Sequence, residues 1–103
     1  MLANSNTITP VIDNGDTWTQ VNTQAGGTLI VNAPVGTYVE GESLILRIKC
    51  TNQQTFSWNP IYRGSPSNTL PTATTGGSKT DYFAFLYNLT DVKFDFLSAV
   101  YGY

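Results

Sequence analysis

Ser43-Leu44-Ile45-Leu46-Arg47-Ile48-Lys49-Cys50-Thr51 decides the fold class. Successive side chains of an extended chain point to opposite faces, so Leu44, Leu46, Ile48 and Cys50 share one side and Ile45, Arg47, Lys49 and Thr51 the other. The period is two, not the 3.6 of a helix. The stretch predicts a strand with one core face and one face that is wet or shared.

Working outward, the same period recurs. Gly41, between Glu40 and Glu42, predicts a turn leading from a Thr37-Tyr38-Val39 strand candidate into the long strand. After Thr51, Asn52-Gln53-Gln54 is a polar turn and Thr55 to Trp58 resumes the alternation with Phe56 and Trp58 on one face, which predicts a hairpin. Upstream, Trp18 to Val21 alternates weakly, and Gly26-Gly27 opens a short apolar run, Thr28 to Val31, that Asn32, Pro34 and Gly36 close. Downstream, residues 59–78 carry Pro60, Pro66 and Pro71 among glycines, serines and threonines, and predict one long loop. Tyr82 to Tyr87, the turn Asn88-Leu89-Thr90-Asp91, and Lys93 to Tyr101 predict an aromatic hairpin. Tyr82, Ala84 and Leu86 face opposite to Phe83, Phe85 and Tyr87, so this strand calls for cover on both sides. A second sheet would cover one face, and a neighbouring subunit or the protein's own loop the other.

Short strands separated by turn signals every ~8–12 residues predict an all-β fold, a jelly-roll-like β-sandwich of about seven or eight antiparallel strands. The chain has 103 residues, 41% of them hydrophobic and 12% charged, enough for one core and one domain over 1–103. Residues 1–12 are expected to be a flexible or attachment arm, able to add to a neighbour's sheet edge. The formal charge of -2 gathers no basic stripe of the kind phosphates require, so nucleic acid is not an expected partner. No segment reaches the ~20 apolar residues of a membrane span, and the first residues do not form a secretory signal.

The chemistry is sparse. There is no histidine and Cys50 is the only cysteine, which removes imidazole catalysis and any disulfide within the chain. Cys50 lies on the apolar face and is expected to be an inert core thiol. The carboxylates available for hydrolysis are Asp13/Asp16, Glu40/Glu42, Asp81 and Asp91/Asp95, and none is flanked by an apolar pocket motif. Asp13-Asn14-Gly15-Asp16 lacks the further oxygen ligands of a calcium loop and is expected to be a turn. Gly26-Gly27 and Gly76-Gly77 lack the lysine and helix of a phosphate cradle. The sequon Asn88-Leu89-Thr90 matters only in a secretory pathway. No catalytic residue, metal ligand or cofactor site is expected, and the chain is not expected to be an enzyme. Exposed aromatic rings can stack on sugar rings, which makes Trp18, Tyr38 and Tyr62 candidate glycan contacts. The competing use of Trp and Tyr is to fill core edges and subunit contacts, and the outward set Tyr82, Leu86, Tyr101 and Tyr103 is the candidate subunit interface.

Gly41-x-x-Leu44-x-Leu46-Arg47-Ile48, Phe56-x-Trp58, the Pro/Thr/Gly loop, Asp81-x-x-x-Phe85-x-Tyr87-Asn88 and Thr90-Asp91-x-Lys93-Phe94-Asp95 together resemble a small β-structured module of tailed-bacteriophage virion proteins. The resemblance spans roughly Thr28 to Tyr101, with Phe94 and Phe96 where a tryptophan is usual. It implies a non-enzymatic structural protein at the virion surface, made in the host cytoplasm. Such a protein would be an oligomer, with a homotrimer expected, serving as a capsid decoration or as a head or tail fibre or appendage component. Implied partners are copies of itself and other capsid or tail proteins. With Met1 close ahead of the matched stretch, the expectation is a stand-alone decoration of a capsid, collar or tail tube. A carbohydrate-binding module that recognises a host surface glycan is the alternative.

Overall fold

The computed structural model describes residues 2–14 and 16–103, so Met1 and Gly15, which the arm and turn expectations include, lie outside the described residues. Along the chain run β1 (Leu2–Ala3), β2 (Thr7–Ile8), a 3₁₀ turn (Ile12–Asn14), β3 (Thr17–Asn22), β4 (Gly27–Val31), β5 (Ser43–Cys50), β6 (Gln54–Trp58), β7 (Tyr62–Arg63), β8 (Lys79–Asn88) and β9 (Lys93–Val100). The described residues are all-β, with no α-helix among them. Six strands form one sheet in the order β1-β3-β5-β8-β9-β7, and three form a second, β2-β4-β6.

From β1 to β6 the chain alternates between the sheets, and each strand lies parallel to the one before it in its own sheet. The path is a coil of three rounds, one strand per sheet in each. Two antiparallel additions seal its last round. β8 pairs with β5, placing Leu46 opposite Phe83, and β9 folds back on β8. On the small sheet, segment 72–74 covers β6, with Phe56 N–H donating to Thr72 O and Thr74 N–H to Gln54 O, both at 2.9 Å. Sealing matters because an open edge presents unpaired backbone groups to any other chain.

Pairing direction therefore corrects the jelly-roll expectation of antiparallel strands throughout: among the named strands only β5, β8 and β9 pair antiparallel. Nor does β6 form a hairpin with β5. The turn after Thr51 carries the chain to the opposite sheet, and the Gln54 side chain turns inward. Its Oε1 accepts from Asn22 Nδ2 and its Nε2 donates to Asn6 Oδ1, both at 3.0 Å, which joins all three rounds at one corner. Residues 37–39 are not a strand; Asp13 accepts from Thr37 N–H, and the Tyr38 hydroxyl donates to Pro34 O. The expected arm is also built in: β1 and β2 are paired, and Ile8 and Ile12 are buried. The expected loop 59–78 contains β7, paired in parallel with β9.

Both sheets turn their apolar faces onto one core. β5 contributes Leu44, Leu46, Ile48 and Cys50, as its alternation predicts, while Arg47 and Lys49 stay in solvent. β8 and β9 add Phe83, Phe85, Tyr87, Phe94 and Phe96, and the small sheet adds Ile8, Leu29 and Val31. Phe56 and Trp58 share a face of β6 with their rings stacked at 4.6 Å, and Phe83 meets Phe56 edge-on at 5.1 Å. Burying each such side chain contributes roughly 1.5–3 kcal/mol.

Candidate functional site

The core face of β8 is filled by Phe83, Phe85 and Tyr87, so its other face is what the chain offers outward. Cross-strand register sets Arg47 opposite Tyr82 opposite Val100, and Ile45 opposite Ala84 opposite Ser98. Tyr82 and Ala84 are half-buried, while Leu86, Val100 and Tyr103 are exposed. Beyond β9 the chain resumes pairing with β8: Thr80 N–H donates to Tyr103 O and Tyr103 N–H to Thr80 O, at 2.9 and 3.0 Å. This lays the Tyr103 ring edge-on against Tyr82, centroids 5.6 Å apart. Thr80, Tyr82, Val100 and Tyr103 then line a groove of about 490 Å³.

A buried carboxylate fixes that groove. Asp81 is 0% exposed and accepts from Thr75 N–H and Thr75 Oγ1, both at 2.7 Å, and from Gly102 N–H at 3.0 Å. The Gly102 backbone is left-handed at φ 82°, which glycine adopts without a Cβ penalty, and this bulge sets Tyr103 opposite Thr80. Three donors on one carboxylate satisfy a group whose burial would otherwise be costly.

Of the four predicted interface residues, the structure brings Tyr82 and Tyr103 together. Leu86 lies further along the same face. Tyr101 turns away, its ring edge-on to Phe83 at 5.6 Å, and burial, with the Asp81 charge adding to it, pushes its phenol up. The glycan candidates do not gather. Tyr62 is 3% exposed, its hydroxyl donates to Asn32 O at 2.8 Å, and burial pushes its phenol up, so it is corrected from a surface ring to a core ring. The physical reason is β7: pairing with β9 turns Tyr62 inward against Phe85 at 5.1 Å. Trp18 and Tyr38 are half-buried and pack on the core, with Tyr38 against Tyr87 and Phe94, each at 5.1 Å.

Two further polar groupings were not legible. Gln20, Asn22 and Gln54 are buried amides; Gln20 Nε2 donates to Ser5 O and Thr7 O, at 3.1 and 3.0 Å. At the far side of the large sheet, Arg63 donates to Asp95 at 2.7 Å and to Asp91 at 3.0 Å, holding the Asp95 carboxyl below its usual range and clamping β7 to the β8–β9 turn. These carboxylates are thus both partners of one arginine. Cys50 is 1% exposed with Sγ 3.4 Å from Gln54 Oε1, and burial pushes its thiol up. Among the described residues no group of three or more His, Cys, Asp or Glu side chains is placed to hold a metal ion, and no helix is long and apolar enough to cross a membrane. Compared with known proteins, the chain matches no family model, no curated protein and no solved structure.

Proposed function

We propose that this chain is a non-enzymatic structural protein of a bacteriophage virion, a β-sandwich body that works by contact with copies of itself, as a surface decoration or a fibre or appendage component. The observation that supports it best is the outer face of β8 and β9, where Tyr82, Leu86, Val100 and Tyr103 present aromatic and aliphatic surface around an open groove. Surface of this kind marks contact sites, and aromatic side chains contribute most of the energy where a partner buries them. Two aromatic rings, a valine and a threonine line the groove, a surface suited to hold another surface. The sequence resemblance supplies the phage setting, and a homotrimer is the assembly it favours.

Light scattering on the purified chain tests self-association, and immunogold labelling of the encoding phage tests the location. The expected results are an oligomer, labelled particles, and a shift to monomer in Leu86→Lys/Tyr103→Lys with an unchanged circular dichroism spectrum. A folded monomer at high micromolar concentration, or unlabelled particles, would overturn the reading.

A further inference from the structure

The charge of this chain is sorted along its strands. β5 and β9 start, and β8 finishes, at one end of the large sheet. Asp13, Asp16, Glu40, Glu42, Asp91 and Asp95 all lie in the turns or first residues at that end, with Arg63 and Lys93 as the cations among them. At the opposite end lie Lys49 and Lys79, with Arg47 just below, and the carboxylate there, Asp81, is buried. One end thus carries four net negative charges and the other two net positive, which together give the formal -2. The eight residues of β5 span about 25 Å, well beyond the ~8 Å Debye length at physiological ionic strength, so neither end screens the other.

Apolar surface accompanies both charges. At the acidic end the β8–β9 turn projects Leu89 and Val92, both exposed, beside Glu40 and Asp91; Glu40 Oε2 accepts the Leu89 N–H. Val92 holds a left-handed backbone, φ 55°, an unusual position for a β-branched residue. At the basic end the Tyr82/Tyr103 groove opens beside Arg47 and, on the next row of the sheet, Lys49 opposite Thr80. Among the described residues, ion pairs form only at Arg63; Arg47, on the strand next to the groove, donates from Nε and Nη2 to Thr19 Oγ1 on β3 at 3.1 and 2.8 Å, and neither it nor Lys49 has a carboxylate partner. The groove, about 490 Å³, exceeds the volume of a leucine and a valine side chain together.

The geometry points to a head-to-tail contact between copies of this chain: the Leu89–Val92 turn of one copy seats in the Tyr82/Tyr103 groove of the next, with Glu40 and Asp91 facing Arg47 and Lys49. A two-fold contact of either end with itself sets like charge on like charge, whereas the heterologous contact sets opposite charges together. Such a contact closes into a ring when its rotation allows and otherwise continues as a stack. This inference rests on the reading of the chain as a self-assembling structural protein, and names the surfaces that assemble.

Sedimentation velocity on the full chain tests it, with complementary charge swaps. Arg47→Glu/Lys49→Glu makes both ends acidic, and Glu40→Lys/Glu42→Lys sets lysines beside the Leu89–Val92 turn and brings that end from four net negative charges to none; each is expected to weaken association roughly tenfold or more at low salt with the fold intact by circular dichroism. Mixed in equal amounts, the two variants should associate again, because each then offers the end the other lacks. High salt should weaken association of the native chain. Oligomers that ignore salt and both swaps, or variants that fail to associate on mixing, would overturn the head-to-tail contact while leaving self-assembly standing. A native chain that is monomeric at every salt concentration would overturn both.

Discussion

Leu46 and Ile48 are 0% exposed on a strand whose intervening residues, Arg47 and Lys49, are in solvent. Leu46→Ala or Ile48→Ala should therefore cost ~2–5 kcal/mol, from lost transfer energy and the cavity left behind. Lys49→Ala should stay within about 0.5 kcal/mol. Urea titration checks both, and a reversed ranking would mean that the strand register is displaced by one residue. Cys50, on the same inner face, should react slowly with a thiol reagent in the native chain and rapidly in urea, because burial disfavours the thiolate. Asp81 is the polar counterpart of these residues. Asp81→Ala leaves Thr75 N–H, the Thr75 hydroxyl and Gly102 N–H without their acceptor, so it should cost at least ~1–3 kcal/mol and loosen residues 101–103. Unaltered hydrogen exchange at Gly102 and Tyr103 in that variant would show that the carboxylate does not hold the groove.

β5 and β8 lie in the middle of the large sheet, each paired on both sides, whereas β1 and β7 are two-residue edge strands. Amide exchange should follow that order: slowest at Leu46, Ile48, Phe83 and Phe85, fastest in β1 and β7, since the most protected groups need global opening. Protection of β7 equal to that of β8 would sink this ranking. The same elements mark how far the sequence could be read. Alternation in β5 and β8 predicted the strands and their inner faces, and in β9 the strand alone, because a period of two is a property of the strand itself and the register shift opposite Ala84 and Phe85 breaks it in β9. It carries no information about partner or direction, so the parallel coil and the crossover after Thr51 were not legible. β1, β2 and β7 are too short to alternate. The buried Gln20, Asn22 and Gln54 resemble turn residues in sequence, and only stacking of the three rounds gives their amides partners. The groove was half legible. Tyr82 and Tyr103 follow from hydrophobicity at the outward positions, but their meeting depends on the Gly102 bulge, which alternation does not foresee.

The titratable groups of the whole molecule set a stability profile that leans toward acid and neutral pH. On the acid side, Arg63 holds the Asp95 carboxyl low, so its contribution is present above the ordinary carboxylate range and is lost as pH falls through the folded value. That pair is partly solvated, and the acid loss should be small. On the alkaline side four groups act together: burial raises the Cys50 thiol from an ordinary 9.0 and the phenols of Tyr38, Tyr62 and Tyr101 from 10.0. A raised folded value means that the unfolded chain ionises first. The contribution is therefore complete below 9.0 for the thiol and 10.0 for the phenols, and declines as pH rises above those values. Tyr62 should dominate, since its ring is enclosed by Trp58 and Phe85 and its hydroxyl is committed to Asn32 O. Tyr62→Phe should cost about 1 kcal/mol at neutral pH, the worth of that hydrogen bond. Above pH 10.0, the ordinary phenol value, its urea midpoint should then fall less steeply than that of the native chain. Parallel alkaline slopes for the two proteins would show that Tyr62 ionises as freely in the folded chain as in the unfolded one, and the placement of β7 over the core would fall with it.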